Sequence, residues 1–165
     1  MQKIATIEEA WDKKYPEQVV LVITRSPEGK INLMAVGWVC IVSDDPPMFL
    51  TGIDDGAYTL ELIRKTKEFV IAYPSRSMAE QTLYAGTVHG HHEDKGLQSG
   101  LKFIPGEKVH VPISADAVAN FECRLVDIIR PGNCPLVIGQ VLSSHINADP
   151  SVSRLVNWGK GYQLR

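Results

Sequence analysis

The segment VVLVITRSPEGKINLMAVGWVCIV, residues 19–42, decides the fold class of this chain. Its first part, Val19 to Thr24, is rich in β-branched residues, which favour β-strands. The Pro-Glu-Gly sequence at 27–29 is typical of a tight turn, because proline fixes φ and glycine accepts a positive φ. The pattern predicts a β-hairpin whose return strand runs from Ile31 to Val42. If the alternation holds, three residues of the return strand share one face: Val36, Trp38 and Cys40.

The rest of the chain repeats this alternation of short apolar runs and turns. Five further runs predict strands: Met48–Ile53, Phe69–Tyr73, Lys108–Ile113, Ala119–Ile129 and Leu136–His145. One helix is predicted from Tyr58 to Lys67, where apolar residues recur near a 3.6-residue period, and a shorter one from Ser77 to Tyr84. Residues 85–106 read as an irregular excursion. Six or seven strands with few helices favour a barrel, because closing a sheet hides its edges.

Composition limits the class of protein. The 165 residues are close to the size of one domain, which we expect to span 1–165. Lys and Arg number 17 against 19 Asp and Glu, so we expect neither a nucleic-acid partner nor a membrane surface. No apolar stretch has the length of a membrane span, and the charged first fifteen residues do not resemble a signal peptide, which predicts a cytoplasmic protein. The cysteines, an odd number without CxxC spacing, favour neither disulfides nor zinc: Cys40, Cys123 and Cys134.

The start of the predicted helix is the first candidate binding site. The chain contains neither GxGxxG after a strand nor GxxxxGK[ST], so a phosphorylated ligand would need another cradle. Residues 54–59 lead into the helix, whose first backbone N–H groups are unpaired and carry the positive end of the dipole. Thr59 could add a hydroxyl. The alternative is that Thr59 or Asp55 only caps the helix.

Two further segments have a functional and a structural interpretation. In Asn-Leu-Met-Ala-Val-Gly-Trp, residues 32–38, the small Ala35 and Gly37 would let a flat ring approach the backbone, but a glycine in a strand also marks a bulge. The second segment offers imidazoles that suit zinc or iron: His89, His91 and His92. No fixed metal motif supports the three histidines, and a solvated loop is the favoured interpretation.

These pieces, taken in order, resemble the flavin reductase-like family, the FMN-binding split barrels that include flavoredoxin. The resemblance covers most of the chain and rests on these motifs: Asn32-Leu33-Met34-Ala35 with Gly37-Trp38, Tyr58-Thr59, Phe69-Val70-Ile71 with Pro74, Gly86 with Gly90, Asp94-Lys95-Gly96-Leu97, Pro112-Ile113, Phe121-Glu122-Cys123 and Ile138-Gly139-Gln140-Val141. The chain departs from the family pattern at three places: Tyr58, Ala72 and His89-Gly90.

The resemblance implies a mostly β protein, a six-stranded antiparallel Greek-key split barrel with a few short helices, and a homodimer that holds FMN noncovalently near the subunit interface. It places Asn32, Leu33, Met34, Ala35 and Trp38 near the isoalloxazine ring. It places Tyr58 and Thr59 near the phosphate, and Gly86, His89, Gly90 and Lys95 along the polar side of the cofactor. Lys95 would supply a positive charge for the phosphate.

Three hypotheses of function follow. The leading one is an FMN-dependent oxidoreductase that moves electrons from NAD(P)H or a redox protein through the flavin, without a catalytic side-chain acid or base and without a metal. The second is an FMN carrier or sensor that does not turn over. The third is a metal-dependent enzyme that uses the histidine loop.

Overall fold

The computed structural model describes residues 1–165 and is built mainly of strands. In chain order the strands are β1 Glu17–Gln18, β2 Val20–Arg25, β3 Ile31–Val36, β4 Val39–Asp44, β5 Pro47–Gly52, β6 Glu68–Tyr73, β7 Phe103–Ile104, β8 Ile113–Ser114, β9 Ala119–Ile129, β10 Leu136–Ile146 and β11 Val156–Asn157. The helices are α1 Ile7–Trp11, α2 Tyr58–Thr66, α3 Ala79–Thr87 and α4 Lys95–Gln98, with one 3₁₀ turn at Arg76–Met78. No helix is long and apolar enough to cross a membrane.

Seven strands form one antiparallel sheet in the order β3-β2-β6-β9-β10-β5-β4. The two edge strands, β3 and β4, are consecutive in the chain, and they are joined by Gly37 and Trp38 without pairing to each other. One buried cluster takes side chains from all seven strands and from α2, so the sheet wraps around a single core. The predicted mostly β split-barrel class is confirmed, with seven strands in the main sheet where the resemblance implied six.

The central strands are buried on both faces, which explains their continuous apolar sequence. In β2, Val20 and Val22 point into the barrel core, whereas Leu21 and Ile23 belong to a second buried cluster outside the sheet. Because successive side chains of a strand point to opposite faces, one face of β2 packs into the barrel core and the other face packs into the outer cluster. The outer cluster is covered by α3 and by residues 109–117, so α3 is held against β3.

The predicted return strand Ile31–Val42 is wrong, because the strand breaks at Gly37 and Trp38. The Val39 N–H donates to the Gly37 carbonyl at 3.1 Å, which makes a tight bend between the two edge strands. Val36 is buried, whereas the Trp38 side chain is 58% exposed and Cys40 is exposed. The predicted common face of Val36, Trp38 and Cys40 therefore does not exist.

The predicted strand Lys108–Ile113 is also wrong, except for its last residue. The backbone N–H groups of Glu107, Lys108 and Val109 donate to the carboxylate of Glu122 instead of to a neighbouring strand. Glu122 is fully buried on β9 and also receives a hydrogen bond from His145 Nε2 at 2.6 Å. A buried side chain has taken the place of the strand partner, so the segment stays irregular.

The second helix and the irregular excursion differ from their predictions in extent. α3 begins at Ala79 and continues to Thr87, and the 3₁₀ turn that precedes it has Ser75 at its N-cap position. The predicted excursion from residue 85 contains the short helix α4, whose N-cap Asp94 accepts a hydrogen bond from Leu97 N. Both differences bring α3 and α4 next to β3, where they form one side of a cleft.

Candidate functional site

A cleft of about 390 Å³ lies between β3, the start of α2 and the end of α3. We call it the helix part of the site. Its lining residues are Asn32, Met34, Asp54, Gly56, Ala57, Tyr58, Thr59, Ala85, Gly86, Thr87, Val88, His89, Gly90, His91 and Lys95. A volume of this size lies in the range of small-molecule binding sites.

The start of α2 presents unpaired donors to this part of the cleft. The N-cap residue Ala57 has no side chain that could accept, and the backbone N–H groups of Tyr58 and Thr59 have no acceptor in the chain. Asp55 forms an ion pair with Arg130 instead of capping the helix. The capping alternative is therefore wrong, and two N–H donors at the positive end of a nine-residue helix remain available for an anion.

A buried hydrogen-bond chain fixes the Thr59 side chain. Asn32 Nδ2 donates to Thr59 Oγ1 at 2.9 Å and to Thr24 Oγ1 at 3.2 Å, and all three residues are almost completely buried. Because the Thr59 oxygen accepts from Asn32, its own hydroxyl proton is free to donate. The chain thus adds a hydroxyl donor next to the two backbone donors.

Gly90 allows the loop after α3 to approach this network closely. A Cβ at Gly90 would overlap the Asn32 Oδ1 atom and come within 3.0 Å of Tyr58 Cδ1. No side chain larger than hydrogen fits there without displacing Asn32. The loop and the helix start are therefore in contact because residue 90 is glycine.

Lys95 is buried at the back of the helix part and ties three elements together. Its Nζ atom donates to the carbonyl of Leu33 on β3 at 2.7 Å and to that of Ala85 on α3 at 2.8 Å. Burial lowers the pKa of Lys95 to about 8. Two of its three N–H donors are used on these carbonyls, so its first role in the structure is to hold α4 against β3 and α3.

A second part of the site, which we call the strand part, continues from the first along the bend after β3. It has a volume of about 570 Å³ and shares Met34 and Asp54 with the helix part. Its other lining residues are Tyr15, Glu17, Ala35, Val36, Gly37, Trp38, Gly52, Asn133, Cys134, Asn157, Lys160, Gly161 and Tyr162. Two of these residues, Ala35 and Gly37, have small side chains that project little into the cleft, in contrast to the larger Met34 and Trp38.

The structure brings the predicted site residues together, with one exception. The helix part contains Asn32, Tyr58, Thr59, Gly86, His89, Gly90 and Lys95. The strand part contains Met34, Ala35 and Trp38. Leu33 points away into the outer cluster, is fully buried, and contributes only its carbonyl to Lys95. This is the alternation of a strand, in which Leu33 and its two neighbours face opposite sides.

The histidine loop does not gather its imidazoles around one point. The His91 ring packs on Tyr58 with centroids 4.8 Å apart, and its Nε2 lies 3.4 Å from Glu61 Oε2. The His91 and His92 ring centroids are 6.4 Å apart. No group of three or more His, Cys, Asp or Glu side chains is arranged to hold a metal ion. The loop folds over the start of α2 through His91.

The cysteines occupy three different environments and form no pair. Burial raises the pKa of Cys123 to about 12, so this core thiol stays protonated. Cys134 lies in the wall of the strand part, where burial and then the charges of Asp54 and Asp55 raise its pKa. Cys40 is exposed on the edge strand β4. A raised pKa disfavours the nucleophilic thiolate at Cys123 and Cys134.

Sequence reasoning missed the residues from the two ends of the chain. Glu17 and Asn157 lie on β1 and β11, which pair with each other next to the strand part. Lys160 and Tyr162 follow in the turn after β11. No local motif marks these residues, because they reach the cleft only through pairing of the chain termini.

The two parts form one elongated site with distinct ends. One end offers Tyr58 N–H, Thr59 N–H and the Thr59 hydroxyl, which suit a phosphate. At the other end, the small side chains of Ala35 and Gly37 leave space that suits a flat ring system. These donors and the small side chains of β3 fit a ligand with an anionic group at one end and a planar ring at the other.

Comparison with known proteins agrees with this architecture. A flavoredoxin structure from Methanosarcina acetivorans is 27% identical, covers 100% of this chain and 91% of its own, and superposes with a TM-score of 0.85. An uncharacterised protein of Pyrococcus abyssi is 36% identical over 78% of this chain and 73% of its own length. A flavin reductase (NADH) of Kitasatospora aureofaciens is 30% identical over 89% of this chain and 74% of its own length.

The family model that matches this chain is the flavin reductase like domain. The match covers residues 13–164 and therefore includes both parts of the cleft and the paired chain ends. From this match and the similarity of the relatives, the chain belongs to the flavin reductase like domain family.

Proposed function

We propose that this protein binds FMN in the cleft and acts as an FMN-dependent oxidoreductase of the flavin reductase type. The observation that carries the proposal is the continuity of the two parts through Met34 and Asp54. Through these shared residues, the unpaired N–H donors at the start of α2 and the small side chains of β3 belong to one continuous cleft. A ligand that spans both parts would have its phosphate and its ring in matching surroundings.

The residues of the chain hold and orient the cofactor in this proposal. Tyr58 N–H, Thr59 N–H and the Thr59 hydroxyl would bind the phosphate, with Asn32 fixing the hydroxyl. Met34, Ala35 and Trp38 would lie along the ring. Bound FMN supplies the hydride-accepting or electron-accepting chemistry, and the fold positions it. The proposal needs no side-chain acid or base.

We propose a nicotinamide as the electron donor. The relative named as a flavin reductase (NADH), which matches 89% of this chain, supports this choice. The strand part also leaves room beside the proposed ring position, with a volume of about 570 Å³. A redox protein in place of the nicotinamide remains the second candidate, because two solved structures of this fold are flavoredoxins.

We also propose that the protein is a homodimer that pairs across β4. This edge strand exposes the side chains of Ile41 by 66% and Val42 by 47%, and Trp38 beside it by 58%. An exposed edge strand with apolar side chains is a template for pairing with another chain. Because Trp38 also lines the strand part, pairing here would place the interface next to the proposed ring position.

The test is a visible absorbance spectrum, an FMN titration and the anaerobic addition of NADH or NADPH to the loaded protein. We expect flavin absorbance bands and bleaching by a nicotinamide. Bands without bleaching, and without reduction by any redox protein, would instead favour a carrier or sensor. A protein that does not bind FMN would refute the proposal, and metal analysis would then test the histidine loop.

A further inference from the structure

The turn near the C-terminus lines one side of the strand part, and backbone hydrogen bonds fix its conformation. We call residues 159–162 the C-terminal turn. Trp158 N–H donates to the Gln163 carbonyl at 2.9 Å, and Val156 and Arg165 exchange two backbone hydrogen bonds at 3.0 Å. The turn is therefore closed on both sides, and it presents Lys160, Gly161 and Tyr162 to the cleft.

Tyr162 has a backbone conformation that a side-chain-bearing residue rarely adopts. Its φ is 61°, and the other non-glycine residue with a positive φ is Lys67, which ends α2 as its C-cap. Gly161 before it has a φ of 82°, so the left-handed conformation of Tyr162 belongs to the C-terminal turn, which the hydrogen bond from Trp158 N–H closes. The turn holds Tyr162 at the cleft, where this residue is 61% exposed.

A carboxylate from the other end of the chain faces the same space. Glu17 Oε1 accepts from Asn157 Nδ2 at 3.1 Å, and Asn157 is 5% exposed. The Glu17 carboxyl also lies against Gly37, because a Cβ at Gly37 would be 3.5 Å from its Oε1. The other carboxylate oxygen, Glu17 Oε2, forms an ion pair with Lys14 Nζ. Glu17 thus stands directly beside the small residues of β3, and each of its oxygens has one partner in the chain and keeps a second lone pair for a further donor.

Aromatic side chains line the same part of the site as this carboxylate. Tyr15, Trp38 and Tyr162 all line the strand part. Aromatic rings favour stacking with flat ligands, and a carboxylate favours a ligand that donates an N–H group. A flat ring with a carboxamide substituent satisfies both requirements, and this is the structure of a nicotinamide.

We propose that Tyr162 and Glu17 are specificity-determining residues that select the electron donor, with Tyr162 packing on the nicotinamide ring and Glu17 accepting from its carboxamide N–H. The inference rests on the proposed function, since it needs FMN in the cleft and a nicotinamide donor. Asn157 is a positioning residue that holds Glu17 toward Gly37.

The experiment compares variants of the FMN-loaded protein in two binding measurements. FMN affinity is measured by fluorescence titration. Nicotinamide affinity is measured by calorimetric titration with NAD⁺, which cannot reduce the flavin, and from the NADH dependence of the anaerobic reduction rate. The variants are Tyr162→Gly, which removes the ring at a φ that glycine accepts, Tyr162→Phe, which keeps the ring, and Glu17→Gln. Trp158→Ala is the matched control, because Trp158 is exposed in the same region but does not line the cleft.

We expect Tyr162→Gly to weaken nicotinamide binding about tenfold and Glu17→Gln about fivefold. Tyr162→Phe and Trp158→Ala should stay within about twofold of the wild type, and FMN affinity should change less than about twofold in every variant. Glu17→Gln keeps an acceptor for Asn157 and loses the charge that pairs with the partly exposed Lys14, so it tests the inference even if Tyr162→Gly fails to fold.

Two results would overturn the inference. Unchanged nicotinamide affinity in Tyr162→Gly and Glu17→Gln, with normal reduction of the wild type, would remove it and leave the proposed function intact. A wild-type protein that binds FMN but is reduced by neither NADH nor NADPH would remove the nicotinamide donor and this inference together.

Discussion

Replacing Thr59 by valine tests whether the start of α2 binds a phosphate. The two side chains have nearly the same shape, so the change removes the hydroxyl and leaves the packing in place. Asn32 Nδ2 loses its acceptor at 2.9 Å but keeps Thr24 Oγ1 at 3.2 Å. The free energy of unfolding should therefore fall by only about 1 kcal/mol, the net value of one hydrogen bond.

The effect on FMN binding should be larger than the effect on stability. A hydrogen bond to a charged group contributes about 1.5–3 kcal/mol, which corresponds to a loss of FMN affinity of about 10- to 150-fold. Thr59→Ser, which keeps the hydroxyl, is the matched control and should bind FMN within a few-fold of the wild type. Fluorescence titration measures all three proteins.

Riboflavin separates a phosphate contact from a general distortion of the cleft. It carries the same ring without the phosphate, so its affinity should be equal in the wild type and in Thr59→Val. Equal losses for FMN and riboflavin would mean that Thr59 supports the shape of the site and binds no phosphate. Unchanged FMN affinity in Thr59→Val would refute the placement of the phosphate at α2.

Three further predictions concern other parts of the molecule. Gly90→Ala should displace Asn32, whose Oδ1 the new Cβ would overlap, and lower FMN affinity about tenfold or more in the same titration; wild-type affinity would contradict the close approach. Although burial opposes it, hydrogen bonds from backbone N–H groups and His145 hold the pKa of Glu122 below the ordinary value of 4.5 for a glutamate, so its contribution to stability is present above that pH and lost as the pH falls through the lowered pKa. Thermal unfolding of Glu122→Gln should accordingly show lower stability at neutral pH and a weaker acid dependence than the wild type, and parallel curves would exclude this role. Ile41→Asp on the exposed edge strand should convert the proposed dimer to a monomer in light scattering, and a dimer that persists would rule out pairing across β4.

The strands that pair with sequence neighbours were the most predictable part of the fold. The hairpin of β2 and β3 and the pair of β9 and β10 are marked by β-branched runs and by turns containing proline and glycine. The break at Gly37 was not predictable from the local pattern, because the apolar run continues across it and only the structure shows the Val39 N–H turning back to the Gly37 carbonyl. The irregular segment before Ile113 was not predictable either, since the buried Glu122 replaces its strand partner.

The candidate site was predictable where its residues lie in local motifs. Asn32, Thr59 and Gly90 were singled out from three separate segments, and the structure places them in contact. Lys95 was expected to carry charge for a phosphate, but the structure shows its Nζ bound to two carbonyls. The opposite wall, with Glu17 and Tyr162, left no signal in the sequence, because a single glutamate or tyrosine in a polar segment has no distinctive pattern.

The mostly β class, the position of the helix start at Tyr58 and the small residues of β3 could be inferred from residues close together in the chain. Tertiary contacts were needed to show that the first N–H groups of α2 are free, that Asn32 orients Thr59, and that the two chain ends line the cleft. The physical reason is that local propensity acts over a few residues, whereas the cleft is made by contacts between residues as far apart as Glu17 and Asn157, which form only when the sheet has wrapped around its core.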